Sequence, residues 1–242
     1  MNTEVIPTQS NGPDVRRYQA VAPAWHTTII LAIFFGFALN AARSGGLTPV
    51  GGGHSRIANY VAVIVLEWAL VWFIHAGVKR RGFSLRDLIG GDWTRLWFVL
   101  RDTAIALGFL IAFAIVVQAL GHLLKIAPTS GLRSAIPQTG AEVVVFLFTA
   151  FTAACCEELV FRGYLQRQFA AFTQSAAAAI VLQGVSFGLV HGYQGWRYVV
   201  VITVFGISFG LLATWRRSLR PGMIAHFVQD GVGGLVARHL LR

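Results

Sequence analysis

Charged side chains are scarce in this sequence. They make up 12% of 242 residues, about half the share of a soluble domain. Acids are scarcer still, ten against twenty lysines and arginines. With 55% hydrophobic residues and a mean hydropathy of +0.63, this excludes an ordinary water-soluble globular domain. Cysteine is nearly absent. The two present, Cys155 and Cys156, are adjacent, so in a helix their side chains diverge and no disulfide framework can be built from them. Segments of strictly alternating hydrophobicity are missing, which excludes a membrane β-barrel. There is no H-E-x-x-H zinc helix, no P-loop and no G-x-S-x-G elbow. The first twenty or so residues are polar and contain Pro7 and Pro13. They do not form a cleavable signal peptide, and 1–23 reads as a polar N-terminal tail.

What the sequence has instead is long apolar runs. A membrane-crossing helix needs about 17–25 apolar residues, and runs of that kind lie near 24–42, 57–78, 98–120, 142–166, 175–192, 197–215 and 221–238. The fold class expected is therefore all-α, a polytopic transmembrane bundle of about seven spans within a range of six to eight. It forms one membrane-embedded domain over 24–242. The net charge of +10 does not point to nucleic acid, because the basic residues are gathered in short groups between the runs, chiefly Lys79-Arg80-Arg81 and Arg216-Arg217 with Arg220. Placing the basic loops on one side, as cytoplasmic loops require, puts 79–97, the turns near 167–174 and 216–220, and the N-terminus in the cytoplasm of a multi-pass inner-membrane protein. Gly184 with Gly188, and Gly206 with Gly210, are small residues four apart. They let backbones approach closely and assign spans five and six to a tight inner bundle.

Ionisable side chains inside hydrocarbon cost about 2.5–3.5 kcal/mol each on insertion scales and need a reason to be there. Of the ten acids, Glu67, Glu157, Glu158 and Asp230 fall well inside apolar runs, and His75, His191 and His226 fall inside or at the edge of them. Glu158 and Arg162 are four apart and share a helix face, so they can pair. Glu157 is turned about 100° away and is left without a local counter-charge. Phe187 and His191 share a face. So do His226 and Asp230, which lets the acid orient the imidazole. Clusters of this kind mark functional sites. Glu67 and His75 form a weaker set, with Glu67 expected as a structural partner for an arginine.

These residues fall into three motifs: Glu157-Glu158-Leu159-Val160-Phe161-Arg162, Phe187 to His191, and His226 to Asp230. In this order they resemble the E-E-x-x-x-R, F-x-x-x-H and H-x-x-x-N/D motifs of the CAAX protease and bacteriocin-processing (CPBP) family, also called Abi, which includes the Ras-converting CAAX endopeptidase. The resemblance covers about 75 residues within a core at about 142–238. It implies an intramembrane endopeptidase whose substrate is a peptide or protein, prenylated or membrane-bound. The implied catalytic positions are Glu157, Glu158, Arg162, His191, His226 and Asp230. Glu157 and His191 would activate a water, His226 and Asp230 would face the oxyanion, and Glu158 with Arg162 would be an orienting pair. The resemblance leaves two forms of the mechanism open. In one, Glu157, His191 and His226 hold a divalent metal such as Zn2+; in the other there is no metal. Many family members carry Asn in place of Asp230. An ionised Asp accepts hydrogen bonds but cannot donate them, so here it would orient His226, ligate a metal or stay protonated.

Two readings from other classes compete. One is a non-catalytic membrane partner or chaperone that keeps the fold, against which the intact set of Glu157, His191 and His226 argues. The other is a transporter or proton relay, against which the lack of paired inverted repeats argues. One geometric demand follows from the spacing. Glu157 and His191 lie about 21–27 Å of helix from the turn near 172–174, whereas His226 is only a few residues beyond Pro221. For them to meet, the last span must start deep or the 216–221 segment must dip inward, which membrane proteins allow where irregular backbone is buried in protein.

Overall fold

The computed structural model describes residues 18–43, 55–126, 133 and 135–240. All seven predicted runs lie on helices. These are α1 (Ala24–Arg43), α2 (Arg56–Lys79), α4 (Leu96–Leu123), α5 (Gly140–Glu157), α7 (Ala176–Val190), α8 (Trp196–Arg216) and α9 (Arg220–Leu240). Two shorter helices join them: α3 (Leu85–Ile89), and α6 (Gln166–Thr173), which continues the line of α5. Among the described residues there is no strand, and the chain is an all-helical bundle. Four helices are long and apolar enough to cross a membrane: Arg56–Lys79, Leu96–Leu123, the continuous Gly140–Thr173 and Trp196–Arg216. Helices α1 and α7 are apolar but shorter. The flexible first loop read at 44–53 lies outside the described residues.

Large side chains such as Phe35, Trp72, Ile111 and Val144 are exposed on the outside of the bundle. That is the expected solution in lipid, where an exposed leucine or phenylalanine has nothing to escape from. The inner face is where packing discriminates. Helices α7 and α8 form the closest pair in the molecule, and the glycines explain why: a Cβ on Gly206 would sit 2.7 Å from the Gly184 Cα. The expected tight inner pair is thus present, built on backbone contact that no larger residue permits.

Two departures from the sequence reading shape the site. First, the motif-bearing helix does not stay α-helical. Glu158–Leu165 is π-helical, and the Gln166 N–H reaches back five residues to the Phe161 carbonyl. Wide π turns inside α-helices recur at functional sites, and here every residue of the segment is buried. Second, 79–97 is not a plain loop. It contains α3, closed by a capping box in which Ser84 and Asp87 bond each other's backbone. These bonds also hold the exposed Asp87 carboxyl below the usual carboxylate range. Leu88 on α3 is fully buried.

The α8–α9 corner meets the geometric demand set by the spacing. Ser218 and Leu219 are buried, the Leu219 N–H bonds the Ile89 carbonyl at 2.8 Å, and a Cβ on Gly163 would lie 3.0 Å from Leu219 and 3.4 Å from Leu88. The corner therefore sits level with Gly163, about two turns along the helix from Glu157, and not with the distant turn near 172–174. Helix α9 starts deep, and His226 arrives beside the glutamates.

Candidate active site

Three elements supply the polar centre: the end of α5 with its π turn, the C-terminal end of α7, and α9. Glu158 and Arg162 are both buried, and Arg162 Nη1 lies 3.1 Å from Glu158 Oε1. The distance is that of an ion pair, yet none of the guanidinium nitrogens makes a directed hydrogen bond. The guanidinium is held from its other side. Its carbon sits 4.4 Å from the Phe187 ring centre, 5.4 Å from Phe209 and 5.8 Å from Phe205. Ring faces attract a cation most strongly when water is excluded, as it is here.

His226 is the hub. Its Nδ1 is 3.1 Å from Glu158 Oε1, and its Nε2 is 3.3 Å from Asp230 Oδ2 and 3.7 Å from Glu157 Oε2. The Glu158 contact needs α9 to pass close to the π turn, and the small Gly222 allows it: a Cβ there would meet Glu158 Oε2 at 3.1 Å. The His226 ring stands edge-on to Phe187, Phe205 and Phe209, the same rings that hold Arg162. One aromatic wall therefore fixes both the cation and the imidazole.

Glu157 differs from its neighbour. Its side chain is 21% exposed against 1% for Glu158. The 3.7 Å to His226 exceeds hydrogen-bond range, and among the described residues nothing hydrogen-bonds its carboxylate. It is the one acid of the cluster both open and underpaired. His191 caps the C-terminal end of α7, where its Nδ1 donates to the Phe187 carbonyl at 2.8 Å. In a neutral imidazole this leaves the Nε2 lone pair free to accept. The two histidines flank one ring, with Phe187 centred 4.7 Å from His191 and 6.2 Å from His226.

Glu67 was expected beside an arginine. It is buried, but among the described residues its direct partner is a hydroxyl: Thr152 Oγ1 donates to its Oε2 at 3.2 Å. The reason is topological, since α2 packs on α5 and faces Thr152 there, whereas Arg162 is turned into the phenylalanine cage. Glu67 still interacts electrostatically with Glu157, His226 and Asp230. His75, on the same helix, is exposed and takes no part. The residues missed were Phe205 and Phe209. Their four-residue spacing on α8 was a legible signal of one face, but a pair of phenylalanines in an apolar run is indistinguishable from lipid-facing sequence.

Among the described residues no group of three or more His, Cys, Asp or Glu side chains is arranged to hold a metal ion. A catalytic zinc site needs three converging protein donors and a water. In this arrangement both His226 nitrogens face carboxylates, while His191 Nε2 is free to accept.

Residues 139–232 match the family model described as Type II CAAX prenyl endopeptidase Rce1-like. The matched segment carries all three motifs and bears out the resemblance over that stretch, while α1 to α4, with Glu67, lie before it. No curated protein and no solved structure matches the chain.

Proposed function

We propose that this chain is an intramembrane endopeptidase in which Glu157 activates water for attack on a peptide bond. The observation that carries the reading is the asymmetry of the paired glutamates. Glu158 is fully buried and its Oε1 is held by Arg162 and His226, while Glu157 is partly open and, among the described residues, has no hydrogen-bond partner. A general base must be free to reach the proton it removes.

Glu157 takes a proton from the attacking water, and His191 Nε2, its Nδ1 fixed on Phe187, is the second acceptor that orients that water. As the carbonyl becomes tetrahedral its oxygen gains charge, and a preformed donor stabilises it. His226, carrying a proton on each nitrogen, is that donor: its Nδ1–H is held by Glu158, and its Nε2–H turns from Asp230 to the oxyanion. Glu157 then returns its proton to the leaving amine. Arg162, held in the phenylalanine cage, keeps Glu158 in place and acts through it. The substrate is a membrane-associated peptide, with a prenylated one the first to try on the strength of the family match. The basic loops support a cytoplasmic placement of the N-terminus.

The test is cleavage of a panel of prenylated and unmodified peptides by the purified chain in detergent, wild type beside Glu157→Gln. Cleavage by the wild type and none by the variant is expected. Equal cleavage by both overturns the assignment. Chelation followed by metal add-back decides between the metal-assisted and metal-free forms.

A further inference from the structure

The corner that carries α9 into the site also gathers an unbalanced set of cations. Residues 79–102 and 216–220 hold nine basic side chains and three acids, Asp87, Asp92 and Asp102. Asp102, 1% exposed, is the anchor of the group. It accepts from Trp93 Nε1 at 2.9 Å and from Arg101 Nε and Nη2 at 3.1 and 2.9 Å. Arg216 Nη2 stands 3.8 Å away, too far for a hydrogen bond. Arg220 lies over the Trp93 ring, 5.0 Å from its centre. The acid it interacts with electrostatically, Asp92, is fully exposed and already accepts from the Thr94 N–H and hydroxyl. One carboxylate therefore serves Arg101 and leaves Arg216 and Arg220 without a directed partner.

Two donors make this more than a solvated basic face. Arg216 Nε and Arg220 Nη1 are buried and, among the described residues, have no hydrogen-bond partner. A buried charged N–H without an acceptor is costly, and the acceptor that suits a guanidinium fork is an oxyanion such as phosphate. The rim supplies the second half of the ligand's chemistry. Trp93, Leu96, Trp97 and Trp215 are 41%, 72%, 69% and 67% exposed. Tryptophans at the end of a spanning bundle sit at headgroup level, and basic pockets between spans at that level bind anionic lipid headgroups.

We infer that Arg216 and Arg220, set over Trp215 and Trp93 at the α8–α9 corner, bind the phosphate of an anionic phospholipid whose chains lie along the exposed Trp97 and Leu96 side. Nothing in the proteolytic reading is needed for this, and the site lies outside the catalytic cluster. Its position gives it a consequence, because the same corner is tied to α3 through Leu219 and Ile89 and begins the helix that bears His226. A bound lipid braces that helix at its start.

The experiment uses the full chain purified in a neutral detergent. Mixed micelles receive phosphatidylglycerol, phosphatidylcholine or, as the soluble source of the same anion, inorganic phosphate. Thermal unfolding and native mass spectrometry are the readouts. Phosphatidylglycerol is expected to raise the unfolding midpoint by about 5 °C and to be retained as one lipid per chain, with phosphatidylcholine and phosphate doing neither. In Arg216→Gln/Arg220→Gln the increment and the retained lipid are lost, while Arg80→Gln/Arg81→Gln, which removes the same charge from basic residues outside the Asp102 group, Arg80 lying over Trp25, keeps both. Equal retention of the two lipids by the wild type overturns the proposal even if the double variant does not fold. So does loss of the increment in the Arg80/Arg81 variant, which marks a general basic surface. A full shift from inorganic phosphate overturns the lipid assignment and leaves a free-anion site.

Discussion

Asp102 and Glu157 are both acids in apolar helices, and they are treated in opposite ways. Asp102 is 1% exposed, with three hydrogen bonds from Trp93 and Arg101 and a second arginine at 3.8 Å. Glu157 is partly open and, among the described residues, has no hydrogen bond, with one imidazole at 3.7 Å. Both carry the cost of leaving water, but only Asp102 recovers it through donors. A buried acid whose acceptor sites are filled ties elements together. One left underpaired in the same environment is held by the rest of the fold for something that arrives later. Glu158, one residue along, stands nearer Asp102: it is equally buried and its Oε1 is held by Arg162 and His226, although its Oε2 has no partner among the described residues.

The hardest test of this contrast removes the proton acceptor and keeps the shape. Glu157→Gln is expected to lower peptide cleavage by about 10³-fold or more, with an unfolding midpoint equal to wild type because no hydrogen bond is lost. His191→Ala should lose cleavage to a similar extent, with a stability cost of about 1 kcal/mol for the lost hydrogen bond to the Phe187 carbonyl. A Glu157→Gln protein that loses several degrees of stability would place Glu157 in the structural class and dissolve the comparison. Next in size is Arg162→Ala. Removing one partner of a buried pair typically costs 3–5 kcal/mol, and here Glu158 would be left buried beside His226. A large fall in thermal stability is expected along with lost activity. If the variant is inactive but as stable as wild type, Arg162 acts on substrate directly.

Asp102→Ala comes third. It strands Arg101 and the Trp93 N–H, and a loss of about 2–3 kcal/mol is expected from the charged hydrogen bonds removed. Cleavage measured at a temperature where the variant stays folded should remain within about threefold of wild type. A collapse of kcat under those conditions would mean that the corner transmits to His226 more than the contacts show.

Much of this was legible in the sequence because lipid simplifies the reading. In hydrocarbon a run such as 98–120 can only be a helix, and all seven runs are helical. Glu158 with Arg162 was legible for the same reason, since an ion pair four apart is local. The spacing even demanded that 216–221 dip inward, and Leu219 does so against Gly163. What stayed hidden was whatever depends on a second element. The π turn at Glu158–Leu165 has no composition that sets it apart from α-helix. α3 looked like loop because only five residues are helical, and its burial comes from Leu88 meeting Gly163. Glu67 went to Thr152 and not to an arginine because only the packing of α2 on α5 decides what stands opposite it. The phenylalanine cage needs residues 161, 187, 205 and 209 brought together from three helices.

The smallest expected effect concerns the residues next to the contrast itself. Cys155 and Cys156 immediately precede Glu157, and a thiol at that position is the natural rival for the nucleophile. A cysteine nucleophile needs a base within hydrogen-bond reach and an environment that favours thiolate. Among the described residues neither thiol has a hydrogen-bonded histidine. Cys156 is 1% exposed in the apolar core, and the nearest imidazole hub, His226, is occupied by Glu158, Asp230 and Glu157. Cys155→Ala/Cys156→Ala should therefore cleave peptide within about twofold of wild type. The only stability cost is the small void left by the buried Cys156 sulfur, about 1 kcal/mol. Thiol-alkylating and serine-directed reagents should leave the rate unchanged. Loss of cleavage in the double variant at unchanged stability would move the chemistry from Glu157 to its neighbours, and the partly open, underpaired acid would then be an accessory to a thiol.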